Sequence, residues 1–199
     1  MTNPVNQELK QRRSIYALGK NVSQTPAQIS ETIEEAIRQS PTAFNSQTVR
    51  AVITFGENSD RVWDIVEAEL KKVTPADRFP ATQEKIASFR AGFGTILYFT
   101  ETQTVHKLEA DFPLYAANFA NWAEQGLGGA QQAVWTALAA ENIGASLQHY
   151  NPLIDEKIKE AFDIPESWEL RAQMPFGSIE APAGEKEFLP DDVRFKIFE

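Results

Sequence analysis

The chain of 199 residues carries 19 Lys and Arg against 28 Asp and Glu, a formal net charge of −9, and it has no Cys and two His, His106 and His149. The absence of cysteine rules out a disulfide framework, a thiolate nucleophile and an iron–sulfur cluster, and two isolated His with no HExxH spacing argue against a metal centre. So acidic a chain makes a poor partner for nucleic acid, and no apolar run reaches the roughly 18 residues of a membrane span, so no membrane partner is expected.

The length fits one domain over residues 1–199. The polar start, MTNPVNQELKQ, has no apolar targeting segment, so a cytoplasmic location is expected. A short helix is expected near residues 4–11, ahead of Arg12-Arg13-Ser14. Thr25, Pro26 and Gln28 form a capping box with proline preset for helical φ, and Ile29, Ile33, Ala36 and Ile37 give that helix one buried face. It should stop before Pro41, and PTAFNSQT (41–48) reads as a loop. Val49 to Phe55 is a β-branched strand.

Val62, Ile65, Val66 and Leu70 mark the next helix and residues 81–91 another, followed by a strand over Thr95–Thr100. From Pro113 to Asn142 a long helix carries only Glu124 as a charge between Phe112 and Ala140, a pattern that predicts burial on most sides. Gly144–Tyr150 reads as a third strand, Leu153 to Phe162 as a helix and Trp168–Ile179 as a fourth strand. The tail from Ala181 to Glu199 fits either an edge strand or an arm laid over another surface. Helices first, then strands separated by helices, predict an α+β fold with a central mixed sheet flanked by helices.

Gly126, Gly128 and Gly129 do not make a dinucleotide fingerprint, because Gln131 stands where the third glycine would be and no strand precedes them; close helix packing is the simpler reading. Residues 1–20 set Glu8 against Lys10, Arg12, Arg13 and Lys20, a basic segment in an acidic chain. Such a patch suggests one specific anionic partner, and the forks and hydroxyl of Arg12-Arg13-Ser14 suit phosphate. The amides of Asn45 and Gln47 can read a heterocycle edge, or simply cap a turn. Gln148 and His149 close the third strand, and no carboxylate or serine near His149 supports a catalytic triad. Tyr115, Phe119 and Trp122 form a helical stripe that reads as packing ahead of contact with a planar ligand.

Four segments occur in order: RRSIYALG from Arg12, SPTAFNSQ from Ser40, the QGLGGAQQAVWTAL helix, and GASLQHY from Gly144, with MPFGSIEAPAGEKEFLPDD closing the chain. Together they resemble the FMN-dependent nitroreductase superfamily over essentially the whole chain. The likeness is greatest to its short branch, which includes the fatty-acid-repression-mutant proteins and the bacterial copper-induced nitroreductases. The resemblance implies a nitroreductase-like fold and a homodimer with the long central helix at its seam. It also implies FMN as cofactor, NADH or NADPH as donor, and a small planar electron acceptor such as a nitroaromatic or quinone, reduced in ping-pong fashion. By the same resemblance Arg12 and Ser14 would hold the phosphate and ribityl chain with Arg13 beside them. Asn45 and Gln47 would face the isoalloxazine, Leu147, Gln148 and His149 would lie near its reactive edge, and Lys186 would help with the phosphate.

Two departures stand out. Tyr16 replaces the Arg or Lys that many members place near the pyrimidine end, and Glu187 and Phe188 interrupt the usual basic pair after Lys186. The expected function is therefore an FMN-dependent NAD(P)H oxidoreductase with no catalytic side chain of its own, since the flavin carries the chemistry. A flavin-binding regulatory or stress-response protein with little turnover is the alternative.

Overall fold

The computed structural model describes residues 3–199. Helix α1 (Pro4–Gln11) leads to a short strand β1 (Leu18–Gly19), and α2 (Pro26–Arg38) then starts at the expected capping box, with Thr25 and Gln28 each bonded to the other's backbone. Next come β2 (Val49–Phe55), α3 (Glu57–Val73), α4 (Phe79–Arg90), β3 (Gly94–Glu101), α5 (Thr102–Asp111) and the long α6 (Ala116–Ala140). The chain closes with β4 (Gly144–Ala145), α7 (Asp155–Phe162), β5 (Trp168–Ile179) and a one-turn helix, α8 (Asp191–Arg194). None of these helices is long and apolar enough to cross a membrane.

The sheet order is β1-β5-β3-β2, with β4 also on β5. Its ladders are all antiparallel rather than mixed; among the described residues the one parallel pairing is an isolated bridge, Ser14 with Ala145. The reason lies between β2 and β3, where two helices intervene instead of one. Two passes return the chain to the end where β2 stopped, so β3 runs opposite to it.

Helices cover both faces of the sheet. Ile96 and Tyr98 of β3 join Ile29 and Ile33 of α2 and Leu127, Val134 and Leu138 of α6 in one core; Leu97 and Phe99 join Trp63, Val66, Ile86, Phe89 and Ile158 in the other. A strand buried on both sides has no polar face to show, which explains the unbroken apolar run of β3.

The expected seven-residue third strand is cut to Gly144–Ala145 plus a bridge from Gln148 to Gln173. Opposite Ser146 stands Pro175: Ser146 N–H donates to the Pro175 carbonyl at 3.2 Å, but proline has no N–H to return the bond. The long helix also differs from expectation. Its buried residues Phe119, Ala123, Gly126, Leu127, Ala130, Val134 and Leu138 form one stripe, while Ala117, Ala120, Asn121, Gln125 and Gly128 are exposed. Its lone charge, Glu124, is tied back by Thr100 and by Arg171, both at 3.0 Å. The tail forms no strand and leaves Phe188, Leu189, Val193, Phe195, Ile197 and Phe198 exposed.

Under α3, Thr95 Oγ1 accepts from buried Trp63 Nε1 at 2.9 Å and lies 2.8 Å from buried Ser59 Oγ. Thr95→Val keeps the shape but strands both groups. Unfolding in urea should show a loss of about 2–4 kcal/mol, against the few tenths expected if these bonds contributed nothing.

Candidate functional site

Ile15 N–H and Trp135 Nε1–H both donate to the carbonyl of Ala145, at 2.9 and 3.2 Å. With the Ser14–Ala145 bridge, these bonds fix the Arg12–Tyr16 segment beside β4. The Arg13 guanidinium reaches across to the Gly184 carbonyl at 2.7 Å and so holds the start of the tail. Between the two segments lies a cavity of about 520 Å³ lined by Arg12, Arg13, Ser14, Tyr16, Gly184 and Lys186. The structure therefore brings together five of the sequence-predicted residues.

Arg12 is the unusual member. Its guanidinium lies 4.4 Å over the ring of Trp135. Its Nε is buried without a hydrogen-bond partner, and among the described residues it forms no salt bridge. Burial, and then the neighbouring Arg13 charge, pull Arg12 below the usual guanidinium range. Partial burial beside a like charge makes the cation more favourable when an anion is near. Lys186 is exposed, with Nζ over its neighbour Phe188 at 5.0 Å. Tyr16 is 57% exposed at the cavity.

Leu147, Gln148 and His149 follow β4 after Ser146. Gln148 is buried, exchanges backbone bonds with Gln173 at 2.7 and 2.9 Å, and donates from Nε2 to Ser146 Oγ. Leu147 packs against the core while His149 points to solvent. Tyr150 N–H donates to Gln173 Oε1 at 2.8 Å, and burial pushes the Tyr150 phenol up to about 12. These three predicted residues thus sit beside the Arg12 segment on the same sheet edge.

Asn45 and Gln47 sit elsewhere. Phe44, Asn45 and Gln47 all have left-handed φ, 58°, 49° and 48°, which non-glycine residues rarely adopt. The loop is held there by bonds from Asn45 N–H to the Thr42 carbonyl, from Gln47 N–H to Thr42 Oγ1, and from the Arg50 guanidinium to the Gln47 carbonyl. Gly126 permits the approach, since a Cβ there would lie 3.1 Å from Thr42 Cγ2. The resulting second cavity, about 580 Å³, is lined by Phe44, Trp122, Gln125 and Gly129 among others.

Sequence reasoning missed Phe44, which is 51% exposed yet central to an aromatic cluster. Its ring centroid lies 5.0 Å from Phe112, 5.3 Å from Phe119, and 6.1 Å from Trp122, nearly parallel to that indole. The Tyr115, Phe119 and Trp122 stripe was legible; the strained backbone that swings Phe44 onto it leaves no mark in composition. Among the described residues no group of acidic or histidine side chains is placed to hold a metal ion.

Residues 9–178 match the sequence profile of the Nitroreductase family. HBN1 of Saccharomyces cerevisiae, a protein assigned to the nitroreductases, is 43% identical over 188 residues, 93% of each chain. Among solved structures, the nitroreductase CinD from Lactococcus lactis in complex with nicotinic acid superposes with a TM-score of 0.92 at 52% identity, covering 98% of this chain and 100% of that one. The same Lactococcus protein has been solved with chloramphenicol and with 4-nitrophenol. A Desulfovibrio desulfuricans structure in complex with FMN shares the fold, with a TM-score of 0.73 at 18% identity and full coverage of both chains.

If Arg12 awaits an anion, inorganic phosphate should raise the Tm of the wild-type chain by more than that of Arg12→Ala at equal ionic strength. Equal increments in the two proteins would remove Arg12 as an anion site.

Proposed function

The chain belongs to the nitroreductase family and is an oxidoreductase of the nitroreductase type; on that premise we propose that it is an FMN-dependent NAD(P)H oxidoreductase. Its acceptors would be nitroaromatics, quinones or related planar oxidants, reduced by a ping-pong route after NADH or NADPH has delivered its electrons. The observation that carries the reading is Arg12, a partly buried guanidinium with an unpartnered Nε and no salt bridge among the described residues, on a cavity that also holds Arg13, Ser14 and Lys186.

The residues fit the phosphorylated tail of FMN. Three cations and a hydroxyl, set against the single carboxylate of Glu185 on one cavity in a chain of net charge −9, suit a phosphate monoester in both charge and donor chemistry. In this reading Arg12, Arg13 and Ser14 hold the phosphate and ribityl chain, and Lys186 assists. When bound, the flavin supplies the two-electron chemistry that no side chain of a cysteine-free protein offers. Leu147, Gln148 and His149 flank the reactive edge, where the buried, backbone-locked Gln148 keeps the segment rigid. Asn45 and Gln47 supply amide donors and acceptors to the ring system.

Asn45 and Gln47 line neither the Arg12 cavity nor its sheet edge, so the proposal takes the chain as a homodimer in which the second copy completes the site. Two observations support this: the small-residue face of α6, whose one carboxylate, Glu124, is paired with Arg171, and the apolar tail, whose Ile197 and Phe198 are 84% and 90% exposed. The aromatic face around Phe44 is then the surface offered to a planar acceptor. The similar Lactococcus protein, solved with two nitroaromatic compounds, supports that acceptor class. The assignment includes a cytoplasmic location.

A second reading rests on Tyr16. A phenol where many members carry a cation supplies less charge to stabilise reduced flavin, which favours a flavin-binding regulatory or stress-response protein with little turnover.

Anaerobic titration of the flavin spectrum with NADH and NADPH separately decides between them. The oxidoreductase predicts yellow protein that bleaches rapidly with at least one donor, whereas very slow bleaching favours the second reading. Colourless protein that takes up no added FMN overturns both. Arg12→Ala should weaken FMN binding by about tenfold to a hundredfold, the worth of a charge-assisted bond. Undiminished FMN retention would remove Arg12 from the site.

A further inference from the structure

Trp135 lies on α6, more than a hundred residues after Arg12, yet two of its contacts converge on the Arg12 segment. Its indole face carries the Arg12 guanidinium at 4.4 Å. Its Nε1–H donates at 3.2 Å to the carbonyl of Ala145, and that same oxygen accepts Ile15 N–H at 2.9 Å. Ala145 is also the residue that Ser14 bridges. One side chain therefore fixes both the cation and the backbone from which it springs.

We propose that Trp135 is the positioning residue of the phosphate site: it holds the Arg12 guanidinium stacked, oriented and free of any salt bridge, so that it is already poised for a phosphate monoester. The inference rests on the flavin reading and deepens it. An arginine side chain otherwise loses substantial rotamer freedom when a ligand fixes it. A π face removes that cost beforehand, because it restrains the cation without competing for its N–H donors. A carboxylate in the same place would restrain Arg12 equally well but would occupy the donors that phosphate needs. The absence of any Arg12 salt bridge among the described residues fits this arrangement, since stacking restrains the cation without committing its donors to a carboxylate.

Comparing FMN with riboflavin separates positioning from general support of the fold, because the two differ only in the phosphate. Dissociation constants for both would be measured by flavin fluorescence on wild type, Trp135→Phe, Trp135→Leu, Arg12→Ala, and the double variant Arg12→Ala with Trp135→Leu. The wild type should prefer FMN. Trp135→Leu should lower the FMN-to-riboflavin preference by about tenfold with riboflavin affinity little changed, and Trp135→Phe should fall between, as a weaker π face without the N–H. In the Arg12→Ala background, Trp135→Leu should not change the preference further.

An unchanged preference in Trp135→Leu, or an equal loss for both flavins, overturns the proposal. If Trp135→Leu does not fold, Trp135→Phe carries the test with the same two outcomes. A wild type that binds neither flavin fails at the functional reading instead, and one that binds both equally shows that the cavity takes no phosphate.

Discussion

The outer edge of β5 is the constraint on which the site depends. One edge of this strand is taken by β3 and the other by the Gln148 bridge, Ser146 and β4, while its last residues pair with β1 and end at Glu180 N–H bonded to the Ala17 carbonyl. The segments 14–19 and 144–148, more than a hundred residues apart in the chain, are thereby set side by side. Two residues of β5 tune the edge. Gly177 lets β1 and the Phe93 backbone close in, since a Cβ there would meet the Gly19 carbonyl oxygen at 2.2 Å. Pro175 withholds a ladder bond and releases the chain after Ala145, so the 146–149 segment is tethered at Gln148 without being locked into a strand.

Charge is handled differently at this edge than elsewhere. Arg90 faces Asp64 and Glu67 at 2.9 and 2.7 Å, and Arg171 faces Glu124 and Glu169 at 3.0 and 2.9 Å. These exposed or half-exposed pairs contribute little net stability, but they leave no cation wanting an anion. Arg12 has no such partner, and its only positive neighbour in the pKa balance is Arg13. The net charge of −9 thus conceals one cavity whose lining sets three cations, Arg12, Arg13 and Lys186, against one carboxylate, Glu185. That local exception, not the total, bears on a phosphorylated ligand.

Several elements were legible because one local signal dominated. The Thr25 capping box marked the start of α2, and the apolar run marked β3. Helix α5 was missed because only Val105 is buried and because its cap is Glu101, a strand residue that accepts from Gln103 N–H and is itself bonded by Ser167. At the candidate site, the Arg12-Arg13-Ser14 cluster could be singled out as a candidate anion site from residue type alone. Trp135 could not, since its role comes from a ring stacked across the fold. Nor could the separation of Asn45 and Gln47 from the Arg12 cavity, which is set by left-handed backbone at residues whose types do not demand it.

The two faces of α6 and the divided donor set answer to the same cause. A helix needs apolar residues only on the side it buries, yet the exposed side of α6 is made of Ala, Gly, Asn and Gln, and its single carboxylate is drawn off by Arg171. Such a face carries small residues that allow close approach and amides that can pair across it, and its one carboxylate is already paired, properties that suit a seam. Asn45 and Gln47 sit on the loop that packs over this helix through Gly126, whereas Arg12 sits over Trp135 further along it. In the proposed dimer, covering the bare face and completing the site are therefore one event. Cofactor and second copy then stabilise each other by mass action, so that flavin affinity depends on the concentration of the chain itself.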